Sequence, residues 1–396
     1  MYNIHSHYET IFQYLKNIVE HRRLLYLLPY GSTDPTNIET ITDHLAEVNK
    51  RLKKAHPLAI GVPRFVPRKD GPLFIFYDQE PIYGKYNYQL FDHINNNYIA
   101  PHVLVTTEKN SEPLNDILKK YNWKSVYYFH HAFAAADWYR GYQFNEGLIH
   151  PTKRKINKKY ITFNRITGNS RVYRSFLIAE LYKNDLLKYG HVSYSDVCPV
   201  HGHYQNNIPD STVKHGVSIE YVNQSTNYLD QIQYPLRIDE KHSVNIPNGS
   251  QTIGPIEELM ESFLHVVTET CFWETKDHLT EKIFKPIVAR QPFVLLGCAN
   301  NLKYLKSYGF KTFDSWWDES YDRIENPIER LQAVVKIINE ICSMTTSELE
   351  SMLRGMQYVL DYNYNWFYSK EFLDVVWNEL TINLQDVVLQ LSHQNS

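Results

Sequence analysis

The chain has 396 residues, enough for two domains of ordinary size, each with a core of its own. Its formal charge of -3 leaves no global basic field, which excludes charge-driven nucleic-acid binding as a property of the whole chain and confines it to a local patch. Cys198, Cys271, Cys298 and Cys342 stand far apart without a C-x-x-C pair, so a disulfide framework or structural zinc site is not expected and a reducing compartment is.

Residues 8–23 carry Ile11, Phe12, Leu15, Ile18 and Val19 at helical spacing, and residues 37–54 repeat the pattern with Ile38, Ile41, Leu45, Val48 and Leu52. Both read as scaffold. A buried strand follows at 73–77 and runs into Asp78-Gln79-Glu80-Pro81. Two carboxylates at a strand end, with a proline that discourages continuation, lie on the crevice side of a sheet. That is where a general base for a hydroxyl is needed, and Glu80 is preferred to Asp78. Residues 103–107 read as a strand, 113–121 as a helix and 125–129 as a strand ending at His130-His131, the alternation of a parallel sheet. Neighbouring strand residues face opposite ways, so the two histidines are not expected to share a metal; each is a candidate for touching an acceptor or a phosphate. Trp138, in an expected loop, is a candidate platform for a sugar. Five of the seven residues 153–159 are Lys or Arg and resist burial, which places a hinge there and divides the chain into 1–155 and 156–396.

The second half opens with a strand at 160–165, a turn at Thr167-Gly168-Asn169-Ser170 and a helix over 171–189 closed by Gly190. Arg171 and Arg174 fall in that helix's first turn, where cations oppose the dipole, so an anionic ligand is the reason for them. A strand is expected at 192–195. His201-Gly202-His203 has no carboxylate partner and reads as a loop, and 203–250, rich in Asn, Gln, Ser and Tyr, reads as a long loop or insertion. The densest signal is 263–297. A strand at 263–267, apolar enough to be buried on both faces, stops at Thr268, Glu269 and Thr270; Thr280 caps a helix opened by Glu281 and Lys282; residues 292–296 make the next strand and Gly297 ends it. A phosphate there would meet backbone N–H groups, the helix dipole and the Lys282 ammonium, while Glu281 would hold sugar or ribose hydroxyls. Further on come a helix at 302–308 closed by Gly309, a strand at 310–313, an amphipathic helix from Asn326-Pro327, a capping box at Thr345 and Glu348, and a helical tail over 366–391.

The stretch 263–297 resembles the donor-binding motif of the inverting α-1,3-fucosyltransferase family, in which a strand ending in Phe-Glu-Asn-Ser leads through a loop to Val/Ile-Thr-Glu-Lys, a helix and a further strand. The matching residues are Thr268, Glu269 and Thr270, then Leu279, Thr280, Glu281 and Lys282, then 292–297, with Thr270 in the asparagine's place. A weaker resemblance reaches the first half, where the family's acidic turn carries the base: Asp78-Gln79-Glu80-Pro81 and Leu90-Phe91-Asp92 correspond to it. Asn164 and Arg171 correspond to a strand-turn-helix whose arginine binds the donor diphosphate, with Arg174 the alternative by register.

The resemblance implies an α/β protein of the GT-B kind, two Rossmann-like domains facing a central cleft, with a C-terminal helical tail. It implies transfer of a sugar from a nucleotide-diphosphate donor to a glycan or other hydroxyl acceptor, with inversion and with no cofactor. No Asp-x-Asp motif occurs, so Arg171 and Lys282 are expected to offset the leaving group's charge without a metal. The other readings are a phage-type enzyme acting on hydroxymethylated DNA bases and a noncatalytic glycan-binding protein. No apolar run reaches the roughly 18 residues of a membrane span and the first residues lack a signal-peptide pattern, so a cytoplasmic protein is expected. Animal members of the family are anchored in the Golgi, which makes this chain look more like a bacterial or viral relative.

Overall fold

The computed structural model describes residues 23–26, 73–78, 80–83, several positions between 88 and 96, 102–143, 154–234, 236 and 252–393. The helix expected over 37–54 lies outside the described residues, as does that over 8–23 apart from Arg23, which begins a strand. Two compact units emerge, one within 1–133 and 374–396, the other 134–373.

In the first unit, β1 (Arg23–Tyr26), β2 (Leu73–Tyr77), β3 (Val103–Thr106) and β4 (Lys124–Tyr127) form a parallel sheet in that order. All four residues of β3 are buried, as an apolar run covered on both faces requires. The crossover between β3 and β4 is the helix Glu112–Tyr121, whose start and stop are written locally. Ser111 accepts from the Leu114 N–H, a proline sits in the first turn, and Asn122 closes the helix in the left-handed region. Its inner face, Leu114, Ile117 and Tyr121, packs with Ile75, Leu104, Phe91 and Trp123.

The second unit holds β5 (Lys158–Asn164), β6 (Gly190–Tyr194), the hairpin β7 (Val197–Cys198) and β8 (Gly202–His203), then β9 (Ser262–Thr268) and β10 (Phe293–Leu296). Its main sheet is parallel throughout and ordered β10-β9-β5-β6. The chain leaves β5 for β6 on one side and comes back for β9 on the other. Strand order therefore reverses between β5 and β9, and open α/β sheets bind ligands at the carboxyl edge of such a switch.

Several expectations are corrected. Within the basic run expected to resist burial, Arg154 is 8% exposed and donates to the carbonyls of Leu259, Ser262 and Ala289, while Lys158 and Lys159 begin β5. A guanidinium carries five donors and is buried when carbonyls converge on it, which a rule on composition misses. The helix after β5 is broken into a 3₁₀ turn at Asn169–Arg171, a helix Tyr173–Lys183 and a second 3₁₀ turn Leu187–Tyr189. Gly190 does not close it; it starts β6, opposite Tyr160. The stretch 204–229, expected as a loop, holds three helices, Tyr204–Asn207, Asp210–His215 and Ile219–Leu229. Their exteriors are so polar that only Val222, Ser225 and Leu229 mark the inner face of the longest. No strand forms at 310–313, because the Asn363 side chain takes both Lys311 main-chain groups at 2.8 Å in place of a neighbouring strand. The tail is two helices, Thr346–Phe367 and Lys370–His393, and the Ser369 hydroxyl accepts the Phe372 N–H to start the second. That second helix runs into residues of the first unit.

Two expected results follow from this packing. A methyl group at Gly190 would sit 2.3 Å from the Tyr160 ring, which is fully buried and hydrogen-bonded to the Leu186 carbonyl. Gly190→Ala should destabilise the protein by about 1–3 kcal/mol, read as a lower urea midpoint at unchanged slope. His265, buried on β9 with its ring against Phe163, is pushed down to about 3 by burial, with Lys285 and Arg154 adding to the effect. The folded value lies below the unfolded one, so its share of stability is whole above about pH 6.5 and drains away as pH falls towards 3. Between those values the wild type should lose up to about 1.4 kcal/mol per pH unit more than His265→Gln, measured by urea unfolding at each pH. Equal slopes would refute it.

Candidate functional site

Every residue of β9 is buried, and the strand delivers Glu269 to its carboxyl end with 0% exposure. The carboxylate survives there because three donors meet it: the Thr280 hydroxyl at 2.6 Å, the Thr280 N–H at 3.3 Å and the Thr270 N–H at 3.2 Å. Burial nevertheless raises its pKa, against the pull of Lys282 and Thr280. Thr280 also caps the next turn, accepting the Lys282 N–H at 3.4 Å. The helix expected here is short, a 3₁₀ turn Glu281–Ile283 followed by Phe284–Val288. So few aligned peptides make a small dipole, and the charge at this site is chiefly that of its side chains. Lys282 Nζ donates to Thr270 Oγ1 at 3.2 Å, Thr280 Oγ1 at 3.1 Å and Glu281 Oε1 at 3.0 Å. Its side chain is 28% exposed and that of Glu281 8%. Glu269, Thr270, Thr280, Glu281 and Lys282 thus form one hydrogen-bonded network.

Across the switch, buried Asn164 at the end of β5 accepts from the Thr268 hydroxyl at 3.1 Å and donates to Thr162. Arg174 is not available to a ligand in the way its place in a first turn suggested. It is 3% exposed and donates to the carbonyls of Ile166, Thr268 and Glu269, tying the β5 and β9 ends together beside the Tyr173 hydroxyl, which also donates to the Glu269 carbonyl. Arg171, in the 3₁₀ turn, is half-buried, and its charge helps hold the His201 imidazole below its usual value, after burial. Of the two arginines, Arg171 is the one solvent reaches.

In the first unit, Asp78 follows β2 and is fully buried, accepting from the Tyr128 hydroxyl. Tyr128 lies 2.9 Å from His130 Nδ1, which is 3.6 Å from Asp78. Burial lowers His130 to about 3, so the Asp78 contact is not an ion pair near neutral pH. The histidines do not end a strand: β4 stops at Tyr127, and His130 and His131, both buried, open the helix His130–Trp138. Trp138 is correspondingly in a helix rather than a loop, and half-buried. Glu80 is half-buried in a turn held by Glu108, whose carboxylate accepts the Ile82 N–H at 3.0 Å and the Ser111 hydroxyl at 2.6 Å.

Sequence reasoning passed over Tyr128, Glu108 and Tyr173, which have no local signal, and also Arg330. That arginine donates to the carbonyls of Phe272, Gly297, Ile324 and Glu325, fixing the loops that leave β9 and β10. Its position on the stripe Arg330, Val334, Ile338 of the helix Pro327–Ser343 was the available clue. Among the described residues, no three His, Cys, Asp or Glu side chains are grouped to hold a metal ion, and no helix is long and apolar enough to cross a membrane. The chain matches no protein-family model, no curated protein and no solved structure.

Proposed function

We propose that the protein is a glycosyltransferase of the two-Rossmann-domain kind, resembling the α-1,3-fucosyltransferases, and that its second unit binds a nucleotide-diphosphate sugar. The observation that carries this reading is the network of Glu269, Thr270, Thr280, Glu281 and Lys282 at the carboxyl edge of β9, beside the switch between β5 and β9. An ammonium set among hydroxyls and a carboxylate suits a ligand that is anionic at one end and rich in hydroxyls at the other. Lys282 and Arg171 offset the diphosphate's charge as the bond to the anomeric carbon breaks, and Glu281 orients sugar hydroxyls. Glu269 acts from beneath, holding Thr280.

The acceptor oxygen attacks the anomeric carbon, the diphosphate leaves with the bonding electrons, and a carboxylate takes the acceptor's proton. Glu80 is assigned that role ahead of Asp78, because Asp78 is sealed and already engaged with Tyr128. The reading needs no metal; loss of activity with chelator and its return with manganese would count against that part.

The test is thermal unfolding with GDP, UDP, ADP and CMP and their sugar conjugates. A nucleotide at a hundred times its dissociation constant should add about 2.7 kcal/mol. If none stabilises the protein, the proposal fails.

A further inference from the structure

Arg154, Arg174 and Arg330 are buried guanidiniums of the second unit whose hydrogen bonds go to main-chain carbonyls. A carbonyl satisfies an N–H but carries no net charge, so each arginine keeps its full positive charge in a dry setting, where charges are normally paired. They differ in place and in company. Arg154 lies at the amino end of β9, bonded to the Leu259 and Ser262 carbonyls, at the opposite edge of the sheet from the Lys282 network. Arg330 holds the loops that leave β9 and β10, and the Asp322 carboxylate is close enough to feel its charge. Arg174 stands at the carboxyl ends of β5 and β9. Its acceptors are the carbonyls of Ile166, Thr268 and Glu269, no carboxylate pairs with it among the described residues, and its Nε is buried without a hydrogen-bond partner. The Glu269 carboxylate, on the residue whose carbonyl Arg174 holds, is turned to Thr270 and Thr280 and has Lys282 as the cation acting on it. Glu269 thus joins the unpaired charge of Arg174 to the Lys282 network.

We infer that Arg174 is a specificity-determining charge for the proposed donor: without touching the ligand, it makes the site favour two linked phosphates over one. The inference rests on the nucleotide-sugar reading and adds to it the class of donor, a sugar carried on a nucleoside diphosphate rather than on a nucleoside monophosphate. The counter-charge that the guanidinium lacks in the protein is supplied by the ligand. Each further negative charge on the ligand is stabilised by it, more strongly in a low-dielectric interior than in water, and salt screens a buried charge little. Its bonds to three carbonyls fix it before any ligand arrives, so binding needs no reorganisation there.

Calorimetry would give the affinity ratio of diphosphate to monophosphate for GDP and GMP, UDP and UMP, and ADP and AMP, in the wild type, Arg174→Gln, Arg174→Lys and Tyr173→Phe. Tyr173→Phe takes one donor from the same Glu269 carbonyl without changing any charge. Arg174→Gln should shrink the ratio about 10-fold, the scale of one buried charge acting on one ligand charge. The two charge-conserving variants should keep it within about 3-fold, even where both ligands bind more weakly. An unchanged ratio in Arg174→Gln, or a fall as large in Arg174→Lys or Tyr173→Phe, overturns the inference. If Arg174→Gln does not fold, the wild type decides: its preference for the diphosphate should survive a rise from about 0.05 M to about 0.5 M salt, and its disappearance overturns the inference. Failure of the wild type to bind any nucleotide would instead remove the reading on which the inference rests.

Discussion

Lys282→Ala is expected to lower turnover of the proposed transfer by about 100- to 1,000-fold, the effect of deleting one group aimed at charge that develops in the transition state. The protein should stay folded. The side chain is partly exposed, and one of its three acceptors keeps other work: Thr280 still donates to Glu269 and still caps the turn. Glu281 loses its ion pair, and Glu269, whose charge the lysine eases, should become still harder to ionise. The measurement is kcat/KM for donor consumption, with thermal unfolding as the check on folding. The stabilisation given by a nucleoside diphosphate should shrink in the same variant. Near-full turnover would remove Lys282 from the mechanism.

The largest effect on stability is expected at Arg330. Arg330→Met keeps much of the volume and withdraws the donors from the carbonyls of Phe272, Gly297, Ile324 and Glu325. Each buried acceptor left alone costs about 1–3 kcal/mol, reduced where water enters, so a total loss of about 3–5 kcal/mol is expected from urea unfolding. Two of those carbonyls belong to the loops after β9 and β10, so affinity for the proposed nucleotide donor should weaken as well although Arg330 is buried. A loss below about 1 kcal/mol would show that the carbonyls find other donors.

Arg330 also shows where reading the sequence stops. Signals held within a few residues were legible: the burial of β9, the Thr280 cap, Asn326 with Pro327, and the capping box of Thr345 and Glu348 all stand in the structure. The candidate network of the second unit was legible for the same reason, since its five members lie within 269–282. Arg154, Arg174 and Arg330 were not, because each is buried by carbonyls that belong to distant parts of the chain, such as Ser262 for Arg154 and Thr268 for Arg174. Their neutral acceptors leave no charge pattern to read. The helices of 204–229 were hidden by the opposite cause, an exterior so polar that periodicity hardly appears, and His130 was misplaced because the strand before it ends two residues sooner than its apolar run.

The three hydrogen bonds of Lys282 have a kinetic meaning. Glu281 is a tethered stand-in for an anion, one residue away and therefore at high effective concentration. A monovalent ion such as chloride has to compete with it and gains little, so buffer salt should leave the site largely empty. A ligand with two linked phosphates can engage one elsewhere before the other displaces the carboxylate. Entry then takes two steps, and the observed association rate should level off at high ligand concentration, at the speed with which Glu281 lets go.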